Sequence, residues 1–448
     1  MARSANRAPV RRERMALGLP AKMSNRSVSN RVAAAFFISV SLLTLCSCWG
    51  KLEIEERSFA TLMGVDTTPD GRLVVTVNIA VPRVVGGGAK VGGIRGRTTA
   101  SVMHSGDGNN ITEALNKINL MSSRDVTTDH LSFVILGEEL ARRDIGPVMD
   151  IFSRNLDFRH NTLVAVCAGR ALDFLVGFGT QEEVEPSQYI ERLVTTSSSS
   201  LGACPLVTMH EMMVSYNTVA LEPWAPYLAL ASAAPAEKPP QPVTGKTSGS
   251  EGAVRSDDTE ESKQVVVVLG TAVFRKIGSV QKMVGHLDAE ESFAAMLMRG
   301  TLVSGFVNVA FPGDQAETSV RIHHNSVRTE VRVEEGSADA LFRIRATGSI
   351  DEVQVGIEEN ETDQRIRQAL VSGTQDHLRA LLERTFLKLT SLGCDVIGLG
   401  RQVQGKFASY PEWEDFDWGS RFSSSTAGFD VKVHILVSGF TLQRPFPR

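Results

Sequence analysis

A multidomain α+β fold is predicted by three features of the chain. Short Val-, Ile- and Phe-rich runs alternate with stretches whose apolar residues recur at helical spacing. In the N-terminal half these runs and stretches take turns, which predicts a mixed sheet with covering helices. In the C-terminal half, several runs alternate polar and apolar residues ahead of one long amphipathic stretch. That order predicts an antiparallel sheet plus a long helix.

The chain has 448 residues and a formal net charge of -4, with 42% apolar and 22% charged residues, as globular proteins do. This balance gives no reason to expect a nucleic-acid partner. Residues 1–47 read as a lipoprotein signal peptide. Arg26 and Arg31 precede the apolar run Val32 to Leu45, whose 14 residues fall short of the roughly 20 needed to cross a bilayer. A start at Met15 or Met23 in place of Met1 is also open, and Met23 would make the leader an ordinary length. Ser47 before Cys48 marks the cleavage site better than Leu45 before Cys46. Cys48 is therefore the expected lipidation site, ahead of plain secretion or an uncleaved anchor. The expected partition is an N-terminal region over 48–232, a flexible linker over 233–263 and a C-terminal domain over 264–448.

Taken in order, Phe59 to Asp66 and Leu73 to Val81 form a hairpin around Thr-Thr-Pro-Asp-Gly, residues 67–71. Gly86 to Gly96 is glycine-rich but lacks a phosphate-loop pattern. Ile111 to Met121 is a helix, with its stripe at 111, 115, 118 and 121. Leu131 to Leu136 is a strand, followed by a helix from Glu138 that breaks at Gly146-Pro147. Thr162 to Ala168 is a strand and Ala171 to Val176 a short helix. Helices are expected over 186–196 and 206–216, the latter with Met209, Met212 and Met213 packed inside the domain. Residues 233–263 are rich in Pro, Ser, Gly, Glu and Lys, hence the linker; Gly245-Lys246-Thr247 within it is taken as coincidence.

Gln264 to Phe274 and Gln281 to His286 form a second hairpin. Asp288 and Glu291 cap a helix running to Met298. Strands follow near 301–311, 318–323, 326–333 and 341–355. Thr362 to Leu392 is a long helix that Gly373 is placed to divide and Gly393 to stop. Pro411 to Trp418 reads as an aromatic loop, with burial of Trp413 and Trp418 favoured over an interface role. Phe429 to Phe440 closes the chain as a strand.

No motif for catalysis, metal or cofactor emerges. There is no GxSxG elbow, HExxH pair or EF-hand spacing. His323 and His324, adjacent on a strand, point to opposite faces. Asp129-His130 has no nucleophile placed beside it. Arg154, Asp157, Arg159 and His160 read as a salt-bridged surface. Cys167, Cys204 and Cys394 form no disulfide framework.

The ordered motifs resemble the Ger(x)C spore germination proteins. Cys48-Trp49-Gly50-Lys51-Leu52-Glu53-Ile54 is similar to the family's mature start, with Gly50 in place of an acidic residue. Gly64-Val65-Asp66, the Asp129 to Ala141 segment and Arg154 to Arg159 resemble further family elements. So do Gly270-Thr271-Ala272-Val273-Phe274 with Val284-Gly285-His286-Leu287, and Cys394-Asp395-Val396-Ile397-Gly398-Leu399-Gly400 with Pro411, Trp413 and Trp418. The resemblance implies a three-domain, lipid-anchored α+β subunit on the outer face of the spore inner membrane. It implies no enzymatic activity, no cofactor, and polytopic A-type and B-type receptor subunits as partners, in a complex that responds to nutrients. The alternative is a lipid-anchored extracytoplasmic solute-binding protein, whose mark is a deep cleft with convergent polar groups. A cell-wall hydrolase finds no paired carboxylates.

Overall fold

A computed structural model describes residues 26–45, 53–80, 101–177, 185–232, 264–310, 317–334, 336–353 and 363–436. Residues 1–54 form one unit, and within it helix α1 spans Arg26–Leu45. The helix begins at Arg26, not at the apolar Val32. No helix among the described residues is long and apolar enough to cross a membrane. Cys46, Cys48 and Trp49 lie outside the described residues, as do Gly86 to Gly96 and 233–263.

The second unit, 55–448, holds two sheets. Its first part runs β1 (Arg57–Thr67), β2 (Leu73–Ala80), β3 (Ser101–Gly108), α2 (Ile111–Asn119), β4 (Asp125–Thr127), β5 (Phe133–Gly137), α3 (Glu138–Arg143), α4 (Gly146–Arg154), β6 (Leu163–Cys167), α5 (Ala171–Gly177), α6 (Pro186–Ser199), α7 (Met209–Tyr216) and β7 (Trp224–Ser232). Then follow β8 (Gln264–Ile277), β9 (Val280–Leu287), α8 (Ala289–Arg299), β10 (Gly305–Ala310), β11 (Glu317–Glu334), β12 (Ser337–Val353), α9 (Asp363–Leu392), α10 (Leu399–Gln404), α11 (Tyr410–Phe416), α12 (Trp418–Arg421) and β13 (Thr426–Leu436).

The larger sheet has the order β3-β2-β1-β5-β6-β7-β8-β9, with β4 also paired to β1. Its centre is parallel (β1, β5, β6 and β7) and each edge is an antiparallel hairpin. The central strands read as continuous apolar runs because both faces are covered: every residue of Phe133–Gly137 is buried. Phe133, Ile135, Ala165 and Cys167 pack with Phe174, Ile190 and Val194 on one face. Val134, Leu136, Val164 and Val166 join the main core, with Met209, Met212 and Met213, on the other. The three methionines are buried, as expected of packing residues. Met121, by contrast, is exposed, because α2 ends at Asn119.

Strands β7 and β8 flank residues 233–263 and are hydrogen-bonded neighbours, down to the pair Ser232↔Gln264. One sheet thus contains strands from both sides of that segment.

The smaller sheet has the order β10-β11-β12-β13. The runs expected over 318–323 and 326–333 are one strand, β11, kinked by a register shift between Ile322 and His324. The final strand departs from the all-antiparallel expectation, since β13 lies parallel to β12 from Asp339↔Thr426 to Ser349↔Leu436. A parallel neighbour needs a crossover connection, and the long helix α9 supplies it. Gly373 leaves α9 unbroken.

Helix α8 packs against α9 and strands of both sheets. Every residue from Glu291 to Met298 is buried, so the helix is apolar nearly all round. Its capping box of Asp288 and Glu291 is formed as the sequence predicts, and buried Glu291 also receives Lys388.

Candidate functional site at the junction of the two sheets

Residues from four parts of the chain converge where α8 ends. Asp395 follows the αL turn of Gly393 that stops α9. Its carboxylate turns back onto the start of α10 and accepts four hydrogen bonds. Oδ1 takes the backbone N–H of Gly398 at 2.9 Å and Leu399 at 3.0 Å, and Oδ2 takes Gly400 N–H at 2.6 Å and Trp418 Nε1–H at 2.9 Å. Gly398 holds φ +78, and a Cβ on Gly400 would collide with the Trp418 indole and the Ala220 carbonyl. These contacts account for a Cys-Asp-x-x-Gly-x-Gly spacing. Burial pushes the Asp395 carboxyl up from its ordinary value, against the three backbone donors and the indole, which hold it down.

Around this turn the two sheets are tied together. Cys394 Sγ–H donates to the Phe274 carbonyl of β8, and Glu222 N–H donates to the Asp395 carbonyl at 3.0 Å. Arg275 donates to the Leu392 carbonyl at 3.4 Å and the Gly419 carbonyl at 3.3 Å. Arg299, the last residue of α8, donates Nη1–H to the Val396 carbonyl at 2.9 Å and lies 4.4 Å over the Trp224 ring. Trp413 and Trp418 are each 2% exposed, so burial, not interface display, is their role. The expected loop at 411–418 is two short helices, α11 and α12, joined by Asp417 at φ 47.

Glu222 is the titrating member of the network. It accepts Lys276 N–H at 3.2 Å and Gln281 Nε2–H at 2.7 Å. Burial pushes its carboxyl up to about 7, with Asp395 adding to the rise. The folded pKa therefore exceeds the ordinary 4.5. Between those values the folded state keeps a proton that the unfolded chain gives up, so stability falls as pH rises through the window and stays lower above it. Glu222→Gln should remove this part of the decline, gaining about 2 to 3 kcal/mol at pH 8 and almost nothing at pH 4. Urea unfolding at the two pH values checks it, and an unchanged pH dependence would refute it.

Two family models match the chain. A family model described as the spore germination protein N-terminal domain matches residues 50–230. A second, described as spore germination B3/GerAC like, C-terminal, matches residues 269–439. The chain belongs to the Ger(x)C family. Among Ger(x)C relatives, spore germination protein KC of Bacillus subtilis (strain 168) is 24% identical over 384 residues, 85% of this chain and 88% of the relative. Spore germination protein B3 of the same organism is 28% identical over 171 residues, 38% of this chain and 43% of the relative. The crystal structure of the GerBC protein aligns with 84% of this chain and 96% of its own, at 16% identity and a TM-score of 0.48.

The Ger(x)C motifs hold backbone together. Asp66 accepts Ala171 N–H at 2.7 Å and Leu172 N–H at 2.9 Å, capping α5. Burial pushes its carboxyl up. Asp129 accepts from Thr127 Oγ1 at 2.8 Å and pairs with Arg57, while His130 Nδ1 lies 2.9 Å from it and the ring packs on Phe59. In the charged segment at 154–160, Arg154 pairs with Asp150 on the surface, and His160 stacks on His210. His323 donates to or accepts from Ser349, away from exposed His324. No group of three or more metal-binding side chains occurs among the described residues. Cys48, the one site residue named from sequence, lies outside them.

Sequence reasoning did not single out Glu222, Trp224, Arg275 or Arg299. The one local signal available was Asp395 ahead of two glycines, the mark of an Asx-type turn. Arg299 before Gly300 reads as an ordinary cation at a helix C-terminus.

Proposed function

We propose that this chain is a non-catalytic, lipid-anchored subunit of a spore nutrient germinant receptor. The observation that carries the reading is the pair of germination-family matches, which together run from residue 50 to 439 with a gap only from 231 to 268. A relationship to spore germination proteins B3 and A3 supports a receptor-complex setting. In this reading the partners are polytopic A-type and B-type membrane subunits. The body sits on the extracytoplasmic face of the spore inner membrane and helps convert nutrient binding into germination. Motif residues that cap helices and close turns agree with a scaffold, since their hydrogen-bonding capacity is spent on the chain itself.

Anchoring rests on Cys48. One acyl chain binds a membrane only marginally, whereas the two of a diacylglyceryl group hold it stably. Cys48→Ala should move the protein from the membrane to the soluble fraction and slow germination in nutrient. Membrane retention with normal germination would defeat the anchoring claim.

A further inference from the structure

We infer that the cleft between Arg299 and Arg401 binds a small oxyanion, a carboxylate or phosphate group carried by a low-molecular-weight ligand. The inference rests on the junction geometry and not on the receptor reading. Arg299 has five N–H donors, and its one hydrogen bond among the described residues goes to the Val396 carbonyl. The guanidinium face is taken by Trp224, which leaves the remaining donors on its edge. Arg401, on α10 across the cleft, makes no side-chain hydrogen bond or ion pair among the described residues.

The two acids that act on Arg299 electrostatically make their hydrogen bonds to other groups. Asp395 has its oxygens filled by four N–H donors. Glu211 closes the capping box of α7 through Thr208 N–H and Thr208 Oγ1–H. Burial, and then Arg401, pull Arg299 down to about 10, against the opposing pull of Asp395 and Glu211. A half-buried guanidinium is normally paired with a carboxylate, and this one has no such pair among the described residues.

The cleft is of a size for such a ligand. It encloses about 370 Å³, and Arg299 and Thr301 also line an adjoining cavity of about 250 Å³. Thr301, Thr329 and Gln402 add neutral hydrogen-bonding groups, and Phe342 an apolar wall. No carboxylate lines the cleft itself among the described residues, while Glu211 lines the adjoining cavity. Guanidinium groups recognise planar carboxylates and phosphates through paired N–H donors, which a point cation cannot do. The ligand would bridge α8 and α10, the elements that tie the two sheets together.

The test is calorimetric titration of the full-length protein in detergent with inorganic phosphate, with succinate and with chloride. Saturable binding of phosphate, succinate or both, absent with chloride, is expected, and the preferred arm identifies the headgroup. Arg401 is exposed, so Arg401→Gln should fold normally and bind at least about tenfold more weakly, from one lost charge-assisted hydrogen bond. Arg299→Lys, which keeps the charge but loses the fork, should weaken binding similarly. No saturable binding in either arm, or binding that both variants leave unchanged, overturns the site.

Discussion

Asp395→Ala should destabilise the folded body by about 4 kcal/mol or more, because four donors lose their acceptor at once and each orphaned buried group costs about 1–3 kcal/mol. Leu399 N–H, Gly400 N–H and Trp418 Nε1–H are bonded to it in fully buried pairs, where water replaces the carboxylate poorly. Loss of this turn also frees the Cys394 and Glu222 contacts that join it to β8 and to the start of β7. Urea denaturation followed by tryptophan fluorescence measures the effect directly. Asp395→Asn keeps the shape but turns one acceptor into a donor facing an N–H, so it should fall between wild type and alanine. A loss below about 1 kcal/mol for Asp395→Ala would show that the turn is held by its glycines alone.

Gly270→Ala should cost about 3 to 5 kcal/mol, for two separate reasons. Gly270 sits at φ +138, where an L side chain is strained, and its missing Cβ would run into the Leu287 carbonyl and the Asp288 backbone. Asp288 is the N-cap of α8, so the collision falls on the start of the helix between the sheets. Gly278→Ala separates the two causes. Its φ is +63, and a methyl added there would meet nothing within 4 Å, so strain alone should cost about 1 kcal/mol. Equal losses in the two variants would remove the collision from the account.

The features legible in the sequence are those written in a few consecutive residues. The 67–71 turn, the Asp288–Glu291 box and the stop at Gly393 each satisfy backbone groups locally, and each is found in place. Strand β7 went unrecognised because Pro226 lies inside it, and proline argues against a paired strand. The sheet accommodates it beside a register shift between Tyr227 and Leu228, with Pro226 set opposite Thr271 and Gly270 opposite Tyr227. Strand β3 carries Ser, Gly and Asp in place of apolar alternation, and β2 supplies the pairing that its own residues do not announce. At the junction the reason is distance. Glu222, Arg299 and Asp395 lie far apart in the chain, and only the packing of α8 between two sheets brings them together. The family motif pointed to Asp395 but gave no hint of what it holds.

The pairing of Ser232 with Gln264 gives the segment between them a particular mechanical standing. The chain leaves the sheet and re-enters it at one spot, so its length there is decoupled from the position of everything else. Doubling such a closed excursion adds only about 0.6 kcal/mol of closure entropy. A tether between two separate bodies would set their reach, but a segment whose flanking residues pair with each other sets none. Insertions and deletions at that place are therefore nearly invisible to the rest of the molecule. Sequence can drift there under whatever selection acts on that segment itself.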